Sequence, residues 1–410
     1  MTKYFPRLLL VTEADLNQHQ EALGVTRTLL NLFDGYPKDK LFVYTTSDRS
    51  EKNTKERNKL LFVQSAFFPY EYIPTLKNRF GKYTNQHIQN LNLQLIDWLN
   101  IPHHEKIEVF SPELILICPI TAIGLLMGYK LVKYYKLPYI IYFMDNWVAK
   151  NNNRWLSGNL QLVTYKLLKE SSGWLTISEY LEADLSQQYQ LTPKKSLVIS
   201  NSINTSGNKY PNEPYHLGGT FKIIYAGSIW GMHFDALAIV AEAIYQLQYE
   251  GQKIELVIYT KQEFWDRYKE VLERFNVKYG SFIVPYSELY RYLKQSNLLL
   301  VTSSFLSEHA HVIRSSLLSK LTEYMATGVP ILSCGPKYSA CNRFLKKWDC
   351  ALVCETNQVD GVKKFLFEHI YDRRKLECLA LRAFEVFQQN FEKKQVEKKL
   401  YSFFESITYS

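Results

Sequence analysis

Lys320 and Glu323 stand three residues apart within SSLLSKLTEYMATGVPILSCG, residues 315–335 of a 410-residue chain. On a helix this spacing brings a cation and a carboxylate out on neighbouring faces. A second polar group, Asp145, Asn146 and Trp147, follows the apolar run YIIYF at 139–143. Residues just past the carboxyl end of a parallel strand point into the crevice where ligands bind. Asp145 there suits contact with a reacting hydroxyl, or its deprotonation as general base. The other reading is a cap for the segment that follows. Glu308, His309 and His311 lie close together in residues 305–314. As metal ligands the two histidines have no third anchor in view; contact with a ligand and a plain surface role are the other readings. The six cysteines, Cys118, Cys334, Cys341, Cys350, Cys354 and Cys378, include no C-x-x-C pair. Free, mostly buried thiols are expected rather than a zinc site or a disulfide framework.

Local patterns predict the elements that must position these groups. Leu317, Leu318, Leu321, Tyr324 and Met325 recur at helical spacing, which predicts an amphipathic helix over about 316–326. Gly328 and Pro330 stop it, and Val329, Ile331 and Leu332 read as a short buried strand. Near the start, residues 7–12 have the form of a buried parallel strand, and Gly24 opens a helix from about residue 25. Further strands are expected at 41–45, 60–63, 114–118 and 139–143, with helices over 80–98 and 122–135. Residues 171–178 give a strand and 179–187 a helix with Ser178 as its N-cap, followed by the run 197–201. A stretch rich in Gly, Asn and Pro at 206–219 has no periodicity and reads as a linker. Beyond it, strands are expected at 221–226, 255–259, 282–284 and 297–302, and helices over 264–275, 287–295, 363–370 and 375–404. Strands alternating with helices predict an α/β chain of two doubly wound parallel-sheet domains. Their expected limits are 1–205 and 221–385, joined by a linker at 206–220 and followed by a helical segment at 386–410.

With 46% hydrophobic and 22% charged residues, the composition is that of a soluble globular protein. The net charge of +9 suits an anionic substrate or surface. The charges are scattered, without a long basic run, Cys/His finger or arginine-rich arm, which argues against a nucleic-acid partner. Thirty tyrosines and seven tryptophans suit sugar stacking or a membrane interface as well as ordinary core and surface. LKNRFGKY at 76–83 and KLVKYYK at 130–136 mix aromatic and basic residues, as in peripheral membrane contact or as on ordinary helix faces. The N-terminal apolar run is soon broken by acids, unlike a signal peptide. The longest apolar segment, 114–127, is shorter than a membrane span and contains Pro119. The expected location is the cytoplasm, either free or peripheral at the inner face of the membrane.

K-L-T-E-Y-M-A-T-G-V-P-I-L, residues 320–332, resembles the donor-site motif of retaining, nucleotide-sugar-dependent glycosyltransferases of the GT-B fold, the glycogen-synthase-like family-four group. The resemblance implies two Rossmann-like domains facing a central cleft, the second holding the donor and a C-terminal helix crossing back to the first. Glu323 matches the glutamate that accepts hydrogen bonds from the nucleotide ribose. Ala326, Gly328 and Pro330 match the A-x-G-x-P that follows it. The family's second glutamate, eight positions earlier near the donor sugar, is Ser315 here. I-I-Y-A-G-S, residues 223–228, is similar to the first strand and turn of the donor domain. Gly227 there lets the backbone approach a diphosphate, and the next helix offers N–H donors to it. Relatives follow with an arginine and a lysine, whereas this chain has Ser228 and His233. Positive charge is therefore expected from Lys320, Arg314 or Lys261, in that order.

M-D-N-W, residues 144–147, is similar to the family's H-D-x-W strand end, which turns Asp145, Asn146 and Trp147 towards the acceptor. G-V-T-R, residues 24–27, is similar to its G-G-x-x-R helix start, which places Gly24 and Arg27 on the cleft. The implied activity is transfer of a sugar, with retention, from a nucleotide-sugar donor to a saccharide, lipid-linked or natural-product acceptor, as in polysaccharide biosynthesis. No D-x-D pair occurs in the chain, so neither a metal nor another cofactor is expected. Basic residues and a helix N-terminus would then stabilise the departing diphosphate. Two other classes fit the same residues: a nucleotide-sugar-binding protein without transfer activity, and a sugar-nucleotide epimerase of the same fold.

Overall fold

A computed structural model of the chain describes residues 4–16, 24–46, 64–69, 73–74, 81–150, 154–204, 219–283 and 286–409. The chain divides into two compact units, Met1–Ser200 with Glu397–Ser410, and Asn201–Val396.

The first unit runs β1 (Leu8–Thr12), α1 (Gly24–Phe33), β2 (Leu41–Thr46), β3 (Gln64–Phe68), α2 (Gly81–Trp98) and α3 (His104–Phe110). It continues with β4 (Leu114–Cys118), α4 (Ala122–Tyr135), β5 (Tyr139–Phe143), α5 (Arg154–Glu170), β6 (Gly173–Thr176), α6 (Glu179–Tyr189) and β7 (Ser196–Val198). The strands form one parallel sheet in the order β3-β2-β1-β4-β5-β6-β7. β1, β4 and β5 are buried at every position, which is why their sequences are unbroken apolar runs rather than alternating ones. Ser178 caps α6 as expected, accepting a hydrogen bond from the Leu181 amide. The C-terminal residues complete this unit. Tyr401 packs edge-on against Phe5 and Tyr36, at 5.1 and 5.5 Å between centroids, and Phe404 stacks on Phe33 at 6.3 Å.

The second unit runs β8 (Phe221–Ala226), α7 (Gly231–Tyr249), β9 (Ile254–Tyr259), α8 (Gln262–Arg274), β10 (Lys278–Tyr279), α9 (Tyr286–Lys294) and β11 (Leu298–Thr302). It continues with α10 (Ala310–Ile313), α11 (Ser319–Thr327), β12 (Ile331–Cys334), α12 (Ala340–Lys347), β13 (Leu352–Cys354), α13 (Val359–His369) and α14 (Arg373–Asn390). A last helix, α15 (Lys393–Thr408), leads into the residues counted with the first unit. The sheet is parallel, in the order β10-β9-β8-β11-β12-β13. Alternate strand residues feed two cores, one on each face. Ile223, Tyr225, Leu298 and Leu300 pack with α7 and α13 on one face. Ile224, Ala226, Leu299 and Val301 pack with α11 and α14 on the other. This is the doubly wound arrangement expected from the alternation of strands and helices.

Several expected elements shift. The strand expected at 60–63 lies outside the described residues, as does most of the linker at 206–220. The strand expected at 282–284 is displaced to Lys278–Tyr279, where Tyr279 stacks on Trp265 at 4.7 Å; residues 281–283 are not in a strand. The helix expected from 316 begins at Ser319, because Leu318 is extended at its N-cap and Leu317 reaches the core without being helical. The helix expected over 375–404 is broken at Phe391 and Glu392. There Ile203 bridges to Glu392, its amide donating to the Phe391 carbonyl at 3.2 Å.

Candidate functional site

The chain order reverses in the second sheet between β8, which continues to β9 on one side, and β11, which begins the other side. Such a switch point leaves a crevice at the carboxyl ends of the two strands. Gly227 follows β8 there with φ +120°, a conformation open essentially to glycine. Its amide donates to the Tyr259 carbonyl at 2.9 Å. The loop reaches α7, whose N-cap, Trp230, makes no side-chain capping bond. A Cβ at Gly231 would lie 3.3 Å from the His309 Nε2. Across the crevice Thr302, Ser303 and Ser304 are buried at the end of β11. The Ser304 amide donates to the Met232 carbonyl at 2.9 Å, and the Phe305 amide to Asp235 Oδ2 at 2.8 Å. Both bonds tie the following loop to the first turn of α7.

The cation at this switch point comes from α11. Tyr324 clips that helix to the end of β8, accepting from the Ala226 amide at 2.7 Å and donating to its carbonyl at 3.3 Å. One turn earlier, Lys320 places its Cε and Nζ each 3.4 Å from where a Cβ on Gly227 would be. Nζ lies 3.7 Å from the centroid of the Tyr225 ring, a cation–π distance. It is buried and has no hydrogen-bond partner among the described residues. Desolvation brings the Lys320 pKa down from 10.5 to about 7, opposed by Glu323 and Cys341.

His233, in the first turn of α7, is 4% exposed. Its Nδ1 lies 3.3 Å from the Ser228 carbonyl, which also accepts from the Tyr225 hydroxyl at 2.8 Å. Its Nε2 is buried without a hydrogen-bond partner among the described residues. Desolvation above all, with the Lys320 charge and that of His309 adding to it, lowers its pKa from 6.5 to about 3 against the pull of the Ser228 carbonyl. The imidazole is therefore neutral, and positive charge at this loop falls to Lys320.

Thus Gly227 and Lys320 meet, with Ser228 in the same loop, and Glu323 stands half-buried on α11. The other expected donor-side residues are placed by separate contacts. Lys261 is the N-cap of α8, its ammonium 5.2 Å from the Phe282 ring centroid. Arg314 is exposed, and its carbonyl accepts from the Arg343 guanidinium. Ser315 is buried and donates to the His311 carbonyl at 3.3 Å. His309 pairs with Glu308 at 3.2 Å, and no three His, Cys, Asp or Glu residues converge as a metal site among the described residues. Of the cysteines, all but Cys378 are buried as free thiols.

In the first sheet the equivalent reversal falls between β1 and β4. Glu13 occupies it. Its carboxylate accepts from the amides of Ile120, Thr121 and Gly124, each at 2.9 Å, and from the Thr121 hydroxyl at 2.6 Å. The N-terminus of α4 is thereby filled by a resident anion. Neither Glu13 nor Tyr324 stood out as a site residue in the sequence; one reads as a loop acid and the other as core. Asp145, past β5, accepts from the Trp147 amide at 3.2 Å, so its local capping bond is present. The Trp147 indole donates to the Pro119 carbonyl at 3.1 Å, and Asn146 Nδ2 to Gln188 at 3.0 Å, leaving the buried Asn146 Oδ1 without a partner among the described residues. Gly24 begins α1 with φ +56°, and Arg27 is half-buried in its first turn.

No family model matches the sequence, and no curated protein matches it. Solved structures do match. HepE of Anabaena, in complex with UDP-glucose, is similar with a TM-score of 0.66 at 14% identity, covering 97% of this chain and 99% of that one. Sucrose-phosphate synthase of Thermosynechococcus elongatus gives 0.68 at 12% identity and 98% coverage of both chains. A glycosyltransferase of Rickettsia africae gives 0.61 at 13% identity and 99% coverage of both. At these identities the likeness is one of fold. The chain has the GT-B fold, two Rossmann-like parallel-sheet units with seven and six strands among the described residues.

Proposed function

We propose that the chain is a glycosyltransferase taking its sugar from a nucleotide-sugar donor bound on the second unit. The observation that carries this reading is the buried, unpartnered Lys320 ammonium against Gly227 at the switch point. A diphosphate lying over Gly227 would meet the first amides of α7 and the Lys320 charge together. Those groups would stabilise the negative charge that builds on the leaving nucleotide, the usual source of rate in such transfers. Glu323 would accept from the ribose hydroxyls and Asp145 would contact the acceptor hydroxyl, with Arg27 and Trp147 lining the acceptor side. Retention, independence from metal, a saccharide or lipid-linked acceptor and peripheral membrane contact belong to the same proposal. UDP complexes of a structural neighbour favour a uridine nucleotide.

The test is a thermal-shift screen with UDP-, GDP- and ADP-sugars in the presence of a chelator, followed by transfer assays with the donor that binds. A rise in melting temperature with one donor, abolished by Lys320→Ala and weakened by Glu323→Ala, is expected. A Glu323→Ala variant that binds and acts like the unaltered chain would sink the ribose assignment.

A second reading rests on Ser315, whose hydroxyl turns onto the His311 carbonyl where relatives carry a glutamate near the sugar. It is a nucleotide-sugar-binding protein without transfer. Donor binding with neither hydrolysis nor transfer over a broad acceptor set would favour it.

A further inference from the structure

Lys320 reaches the switch point with its ammonium position buried, facing the Tyr225 ring at 3.7 Å and lacking any hydrogen-bond partner among the described residues. A charged amine held out of water without an acceptor gives up its proton readily. The groups around it do not reverse this. Glu323 on α11 and Cys341 on α12 favour the charged form, but desolvation outweighs them. Tyr225 on β8 offers only its ring face, and the Tyr324 hydroxyl is engaged by Ala226. His233 on α7 is neutral, and His309 from the loop before α10 adds to the charge it faces. A diphosphate over Gly227 would bring the missing acceptor oxygens and negative charge.

We infer that occupation of this site by a diphosphate places a proton on Lys320, so that donor capture is coupled to pH; this rests on the nucleotide-sugar reading above. In the step an N–H bond forms on the amine and a buffer acid loses its proton. The free lysine has a pKa of about 7. Binding raises it, so affinity falls as pH rises above about 7, by up to about tenfold per pH unit until the bound-state pKa is passed.

The experiment is calorimetric titration of the full chain at about pH 6 and about pH 8, in pairs of buffers differing in heat of ionisation, whose difference reports protons taken up. The probes are UDP-glucose and dimethyl diphosphate with one ester on each phosphorus; neither changes charge near neutrality. Expected is uptake approaching one proton per site at the higher pH and little at the lower. Lys320→Arg, which keeps its charge, should bind without uptake. His233→Gln should retain uptake, which places the proton on the lysine even if the arginine variant does not fold. UDP-glucose binding without uptake overturns the inference and leaves the donor reading intact. Uptake lost in His233→Gln overturns it as well, by assigning the proton to the histidine. Dimethyl diphosphate binding with uptake, but no binding of UDP-glucose or of GDP- and ADP-glucose in its place, supports the inference and overturns the nucleotide-sugar reading. Binding of none of these overturns both.

Discussion

Lys320 and His233 show how burial decides what a side chain can do. The two stand at one loop, and the sequence offers only Lys320 of the pair as a candidate cation. His233 is enclosed and keeps its Nδ1 on the Ser228 carbonyl, so it stays neutral far below the usual histidine range. A histidine whose pKa falls from 6.5 unfolded to about 3 folded binds fewer protons in the folded chain across that window. Stability is therefore full above about pH 6.5 and is lost progressively as pH falls towards 3. Chemical denaturation of His233→Gln across this range should show a shallower acid limb than the unaltered chain; identical limbs would refute the account. Lys320 has the same sign in a higher window. With 10.5 unfolded and about 7 folded, the unfolded chain holds more protons between them, so stability rises as pH rises through that interval. Lys320→Met should flatten this rise and stabilise the chain near neutrality. In the same protein, donor affinity should fall by about 10- to 100-fold, the worth of one charge-assisted hydrogen bond of roughly 1.5–3 kcal/mol. Stability gained with affinity lost is the signature of a residue kept for binding.

At the scale of elements, the two sheets carry the same reversal and treat it differently. The second leaves the N-terminus of α7 without a side-chain cap behind Gly227. The first fills the N-terminus of α4 with the Glu13 carboxylate, and a Cβ on Gly124 would lie 2.3 Å from the Glu13 Cδ. Glu13→Ala removes four hydrogen bonds at once and leaves amides of Ile120, Thr121 and Gly124 without their acceptor. A loss of about 2–4 kcal/mol is expected from charge-assisted bonds of this kind, read as a lower urea midpoint with an unchanged slope. Glu13→Gln, which keeps one acceptor oxygen, should lose less. Alanine and glutamine variants of equal, undiminished stability would rule out this role for Glu13. The motif around 320–332 made the second site legible, because the helix, its glycine stop and the following strand are contiguous. Glu13 was not legible, since residues 120–124 reach it only through the pairing of β1 with β4.

At the scale of the molecule, the GT-B fold unites two separately cored units, and the end of the chain returns to the first. Phe404 is fully buried there, stacked on Phe33. Phe404→Ala should cost about 3–5 kcal/mol by opening a cavity. In urea this should lower a first-unit transition followed through native-state hydrogen exchange of β1 and α1, while amides of β8 and α7 keep their protection. Equal loss in both units would show that they unfold together. The sequence by itself determined the alternation of strands and helices and the presence of two parallel sheets, because apolar runs and helical spacing are local properties of chains buried on both faces. It also marked Gly227, Lys320 and Glu323 as candidates through contiguous motifs. Element ends were displaced where distant residues intervened, as Ile203 does at Phe391 and Glu392. Only the tertiary structure decided which cation lies against Gly227, that His233 is neutral, and that Glu13 fills the first unit's helix terminus. Charge state and partnership depend on burial, and burial is set by elements that the chain brings together from far apart.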